Sequence, residues 1–245
     1  MQTTSFRLVI RLALMVVTLL ATSLLGRGWA QQPDPAARGQ LQAKLAEVKA
    51  SLAANQQALR QYTWLETTEI SLKGEVKSRK QNECRYGPDG QVQKKLATAP
   101  PEKKKKRGLR GKIVAKKVGE LTDYMERAGS LVHRYVPPDP SRMQAAMKAG
   151  KGALQLAPGG KATLAFRDYA KTGDEFTLTF DTAAKKIVSV NVRSYLDGPE
   201  DAVTLSLGFT SLPDGTNYLS ESILNAQGKQ VQVKTTNFGH RKASS

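Results

Sequence analysis

From residue 162 onward the chain alternates apolar and polar residues. Ala162, Leu164 and Phe166 stand two apart, as do Phe176, Leu178 and Phe180, then Val188, Val190 and Val192, then Val203, Leu205, Leu207 and Phe209. Successive side chains of a strand point to opposite faces, so each run predicts a strand with one apolar face. Turn residues separate the runs, notably Lys171-Thr172-Gly173-Asp174 and Pro213-Asp214-Gly215, and a last hairpin over 218–236 turns at Gln227-Gly228. No helical run alternates with these strands, which argues against a parallel βαβ fold and for an antiparallel sheet.

The same period appears earlier. Tyr62, Trp64, Glu66, Thr68, Ile70 and Leu72 share one face of a strand that ends at the tight turn Lys73-Gly74. The next strand carries Val76, Ser78, Lys80, Asn82, Cys84 and Tyr86 on one face. Its other face, Glu75, Lys77, Arg79, Gln81, Glu83 and Arg85, is almost entirely charged and should meet water. Gly87-Pro88-Asp89-Gly90 closes a second hairpin into 91–97, completing a three-stranded meander. Leu41, Leu45, Val48, Leu52 and Leu59 predict an amphipathic helix over 36–60 before it. Helical packing resumes over 113–135 and stops at Pro137-Pro138, and a shorter helix is expected over 141–148. The glycines at 152, 159 and 160 read as loop residues. The fold class is α+β, mainly antiparallel β, with eight or nine strands in one domain over 31–245. A sheet that long tends to curl toward a barrel.

Residues 1–30 have a different character. Arg7 and Arg11 precede an apolar run from Leu12 to Leu25, and Gly28-Trp29-Ala30 follows with small residues at the first and third positions. That is the pattern of a signal peptide cleaved after Ala30. A membrane anchor is the alternative, but a span needs roughly 20 apolar residues, and Thr18, Thr22 and Ser23 interrupt this run. Export is therefore expected. Residues 1–30 hold three Arg and no acidic residue, so from a formal charge of +17 the remainder stays strongly basic. Cys84 is the single cysteine, which excludes an intrachain disulfide.

Much of the charge is local. Thr98 to Lys112 contains Pro100-Pro101 and the run Lys103, Lys104, Lys105, Lys106, Arg107, with Arg110 and Lys112 beyond it. It reads as a flexible basic loop over 98–112. In an exported chain this argues against nucleic acid as the partner and leaves solubilisation or contact with an anionic membrane surface or polymer.

The residues do not assemble a catalytic set. His133 falls in a helical stretch and His240 near the tail, neither at metal-ligand spacing, and there is no G-x-S-x-G, phosphate loop or dinucleotide fingerprint. No metal, cofactor or enzymatic activity is expected. Cys84 shares a face with Tyr86 and reads as a small buried hydrophobe. Glu66 is the odd carboxylate, since alternation places it beside Trp64. Burial is costly without a partner, so a bulge or a strand edge turning it to solvent is favoured, and an inward Glu66 would be a polar anchor in a cavity. Tyr62, Trp64, Ile70, Leu72, Phe166, Phe176, Leu178 and Phe180 form the expected apolar inner face. They are either core covered by helices or the lining of a site for an apolar ligand.

The order of elements, with FTLTFD, KKIVSVNVRSYL and SLPDGTNYLSESILNAQGKQVQVKTTNF near the end, resembles the LolA-like superfamily of exported bacterial proteins, which includes the outer-membrane lipoprotein-sorting carriers. The resemblance spans roughly residues 38–238 and is one of pattern. It implies an open, unclosed β-barrel with an N-terminal helix and an inserted helical lid. It further implies a periplasmic carrier of lipid or lipoprotein acyl chains that does no catalysis. The alternative is an envelope scaffold whose basic loop contacts anionic lipid or polymer.

Overall fold

The three-dimensional structure is a computed structural model that describes residues 50–97 and 109–243. Residues 50–59 form a helix, α1. Three strands follow, β1 (Tyr62–Leu72), β2 (Glu75–Tyr86) and β3 (Val92–Leu96), then helices α2 (Leu109–Val132) and α3 (Pro140–Lys148). Seven more strands complete the chain: β4 (Gly152–Ala157), β5 (Lys161–Arg167), β6 (Glu175–Asp181), β7 (Lys186–Tyr195), β8 (Ala202–Ser211), β9 (Asn217–Ala226) and β10 (Val231–Lys242).

All ten strands lie in one antiparallel sheet of order β3-β2-β1-β10-β9-β8-β7-β6-β5-β4. Every sequential neighbour pairs except across the helical insertion, and β1 pairs with β10. Among the described residues no ladder joins the edge strands β3 and β4, so the sheet is open. At Lys73-Gly74 both residues have positive φ, 53° and 79°. That is the type I′ hairpin geometry whose twist matches its strands.

The helices cover one end of the sheet. Tyr124, Ala128, Leu131 and Val132 stand at helical spacing on α2 and join Met143 and Ala146 of α3 in one buried cluster. The same cluster contains Leu164, Phe166, Phe176, Leu178, Phe180, Val190, Val192, Leu205 and Leu207 of the sheet. Asp139 caps α3 by accepting from the Ser141 and Arg142 amides, with Pro140 in the first turn. Just past α2, the Tyr135 hydroxyl donates to buried Asp174 (2.6 Å), whose carboxylate also accepts from the amides of Tyr169, Ala170 and Lys171 at 2.5, 2.9 and 2.7 Å. One aspartate thus holds the β5–β6 turn and ties the end of the helix to it.

The structure departs from the sequence expectations at four places. The sheet has ten strands, because 152–157 is the edge strand β4 rather than loop. Gly152 is not merely a turn residue: a Cβ there would collide with the Met147 sulfur and crowd the Phe166 ring. In β7 the inward residue is Ile187, not Val188, because a register shift opposite Thr179/Phe180 changes the phase. The helix begins at Leu109, so positions 109–112 of the expected loop are its first turn, whereas 98–108 fall outside the described residues. The expected signal peptide and the part of the first helix before residue 50 also fall outside them. Among the described residues no helix is long and apolar enough to cross a membrane.

Candidate ligand-binding site

Toward the β1–β2–β10–β9 side the helices do not fill the space. A cavity of about 220 Å³ remains, walled by Leu59 of α1, Val132 at the end of α2 and Val136 beyond it, Leu205 and Leu207 of β8, and Leu219 of β9. The opposite wall is aromatic and polar: Trp64, Glu66, Tyr86, Lys94, Tyr218, Ser222, Thr235, Asn237 and His240. Val92 of β3 and His133, just beyond α2, complete the lining.

Glu66 points inward and is buried, at 5% exposure, which corrects the expectation that a bulge would turn it to solvent. Its partner explains the burial. The Lys94 ammonium lies 2.7 and 2.6 Å from the two carboxylate oxygens, and Asn82 donates from 3.3 Å. Lys94 reaches it from β3 across β2, since Lys94 pairs with Cys84, which pairs with Trp64 two residues before Glu66. Desolvating a carboxylate in this way is tolerable only with such a partner.

A bulge does exist, one strand over. Thr63 pairs with Arg241 and Leu65 with Phe238, so β10 carries one extra residue opposite Trp64. The extra residue re-aims the strand and brings His240 to the inner face, where its ring stacks on Trp64 (5.7 Å, 7°) and lies 4.0 Å from Tyr218, centroid to centroid. His240 is therefore a cavity residue and not part of an exposed tail. Burial holds its pKa down at about 4, so the imidazole is neutral at neutral pH, and its Nδ1 is buried without a hydrogen-bond partner. Asn237 fixes the indole: its Oδ1 accepts from Trp64 Nε1 (3.0 Å) while its Nδ2 donates to the Leu219 carbonyl (2.9 Å).

Cys84 is fully buried, and burial together with the Glu66 carboxylate pushes its thiol up to about 12. Neither Cys84 nor His240 is poised to exchange a proton near neutral pH. Among the described residues no group of three or more His, Cys, Asp or Glu could hold a metal ion.

Of the residues expected on the apolar inner face, only Trp64 lines the cavity. Phe166, Phe176, Leu178 and Phe180 lie in the packed core under α2 and α3. Tyr62 is buried beside it and donates to Asp214 (2.5 Å), and Ile70 and Leu72 are half-buried farther along β1. Lys103, Lys104, Lys105, Lys106 and Arg107 lie outside the described residues, and Arg110 and Lys112 belong to the first turns of α2. The cavity floor is instead polar: alternation put Glu66 on this face, whereas nothing in the sequence singled out Lys94, Ser222, Thr235 or Asn237. α1 meets the site through Leu59 and is anchored to the sheet by buried Leu52 and by Asn55, which bonds the backbone of Asn217 twice (2.9 and 2.6 Å).

No protein-family model matches the sequence, and no curated protein matches it. Among solved structures the chain is similar to the crystal structure of a DUF1329 family protein from Desulfovibrio piger. The match has 8% identity and a TM-score of 0.36, and covers 82% of this chain and 93% of that one.

Proposed function

We propose that the protein is an exported, periplasmic, non-enzymatic carrier or binding protein of the LolA-like kind, holding a lipid acyl chain or other single apolar chain in the cavity between the open sheet and the helices. The observation that carries this reading is the cavity itself, apolar on the helix side, where Leu59 of α1 and Val132 at the end of α2 border it. Its volume lies below the roughly 300–1,000 Å³ of drug-sized sites, so it takes one short chain or the end of a longer one. Lipoprotein acyl chains are among the candidate cargo.

Trp64 reports on occupancy. In the full chain carrying Trp29→Phe, Trp64 is the remaining tryptophan, and 8-bromooctan-1-ol should quench its emission saturably. Unquenched emission at saturating ligand, with acrylamide confirming that Trp64 is shielded, would reject the reading.

A second reading concerns the surface. The basic run immediately precedes α2, whose Lys116 and Lys117 are exposed, and each cation near an anionic membrane contributes about 1 kcal/mol. Replacing Lys103–Lys106 with Gln should lower binding to phosphatidylglycerol vesicles at low salt. Unchanged binding removes this reading.

A further inference from the structure

We propose that the Glu66–Lys94 pair selects an uncharged, hydroxyl-bearing head group, so that the occupant is a neutral single-chain amphiphile, such as a monoacylglycerol or a fatty alcohol, rather than a fatty acid or an alkylammonium. The proposal rests on the binding reading above and names the ligand class for the same cavity.

Charge is the first constraint on the head group. Glu66 is nearly fully buried and both its oxygens face one ammonium, so the pair is electrically closed within the cavity wall. A charged head entering from water loses its hydration and must find a counter-charge. A carboxylate head would have to share Lys94 with a carboxylate already 2.6 Å from it. An ammonium head would have to displace Lys94 from Glu66. The first puts two carboxylates on one ammonium; the second only exchanges one ion pair of Glu66 for another and turns Lys94, 29% exposed at its side chain, out to water, so neither ionic head gains a counter-charge that was free. His240, kept neutral by burial, supplies no compensation.

A hydroxyl meets neither difficulty. An ammonium has three donors and a carboxylate about four acceptor sites. Two contacts from Lys94 and one from Asn82 therefore leave one donor and at least one acceptor unused. One hydroxyl can accept the first and donate to the second. Ser222 and Thr235, paired across β9 and β10, line the same cavity and extend the hydroxyl-bearing wall. The tail then lies against Leu205, Leu207, Leu219, Val132 and Val136.

The test compares three ligands of equal chain length, 1-octanoylglycerol, octanoate and octylammonium, at neutral pH by Trp64 emission in the full Trp29→Phe chain. The neutral ligand should bind at least roughly tenfold more tightly than either ion. Glu66→Gln, which frees the ammonium, should reverse the order in favour of octanoate. Glu66→Gln combined with Lys94→Met should abolish the preference, with circular dichroism confirming the fold of each variant. Equal binding of all three ligands by the unaltered pair, or tighter binding of octanoate, overturns the proposal and leaves the binding reading intact. Absence of binding by all three overturns both.

Discussion

The two halves of the sheet meet the helices in different ways. From β5 to β7 the inner face is almost entirely carbon: Phe166, Phe176, Leu178, Phe180, Val190 and Val192 are buried in one cluster with Met143, Ala146 and Ala128. Across β2, β1, β10 and β9 the same face presents Asn82, Glu66, Asn237, Thr68, Thr235 and Ser222, and there a cavity remains. An apolar face gains from every side chain placed on it, whereas a polar face covered by Leu and Val would strand its donors and acceptors. Here the polar groups pair among themselves, Lys94 with Glu66 and Trp64 with Asn237, which lets the helices close over them without filling the space.

Four measurements bear on this contrast. The largest effect belongs to the packed half: Phe176→Ala should cost about 3–5 kcal/mol in urea unfolding, because its neighbours cannot collapse into the hole. A loss under about 1 kcal/mol would mean that this half is not close-packed. Next, Lys94→Met orphans a buried carboxylate. Breaking a buried pair costs about 3–5 kcal/mol, but Lys94 is 29% exposed at its side chain, so about 2–3 kcal/mol is expected, with most of it recovered in the double variant with Glu66→Gln. Failure of the second substitution to rescue would show that the pair does more than neutralise itself.

The third is a pH effect. His240 has its folded pKa lowered to about 4, against about 6.5 in the unfolded chain. Between those values the unfolded chain binds more protons, so stability falls as pH drops from about 6.5 toward 4 and is insensitive to His240 above that range. Because the ring is only half-buried, its share should be on the order of 1–2 kcal/mol. It appears as a shallower acid limb in His240→Phe, and an identical limb in the two proteins would place the imidazole in water. The smallest stability effect belongs to the cavity. Ser222→Leu should change stability by under about 1 kcal/mol, since it fills existing space, yet should weaken octyl-chain binding at least roughly tenfold. The matched insertion in the packed half, Ala162→Leu, should cost about 1–3 kcal/mol.

Strands with clean alternation were legible from the sequence because a half-buried strand must write its period into its residues. The runs at 162–166, 176–180 and 203–207 each became a strand with the expected face buried, while Phe209, past a register shift, is half-buried. The edge strand β4 was not legible. Gly152, Ala153 and Ala157 carry little strand preference, and an edge buries only one side, leaving Leu156 75% exposed. The site was legible only in part. Alternation put Trp64 and Glu66 on one face, but the partner that makes Glu66 tolerable there, Lys94, is two strands away. His240 enters through a bulge, a register change that a repeat of two cannot announce. The Phe residues that most resembled a greasy pocket are the ones the helices cover.

The central claim is that the polar-floored half of the sheet holds a chain while the carbon-faced half is closed. Bromine anomalous scattering from crystals grown with 8-bromooctan-1-ol tests it most directly. The account predicts one bromine site within the cavity, in contact with side chains such as Leu205, Leu207, Leu219 or Val136, with Phe166 and Phe176 unmoved. A bromine lodged among Phe166, Phe176 and Met143, or an unoccupied cavity closed by Val132 and Val136 resting on Trp64, would contradict it.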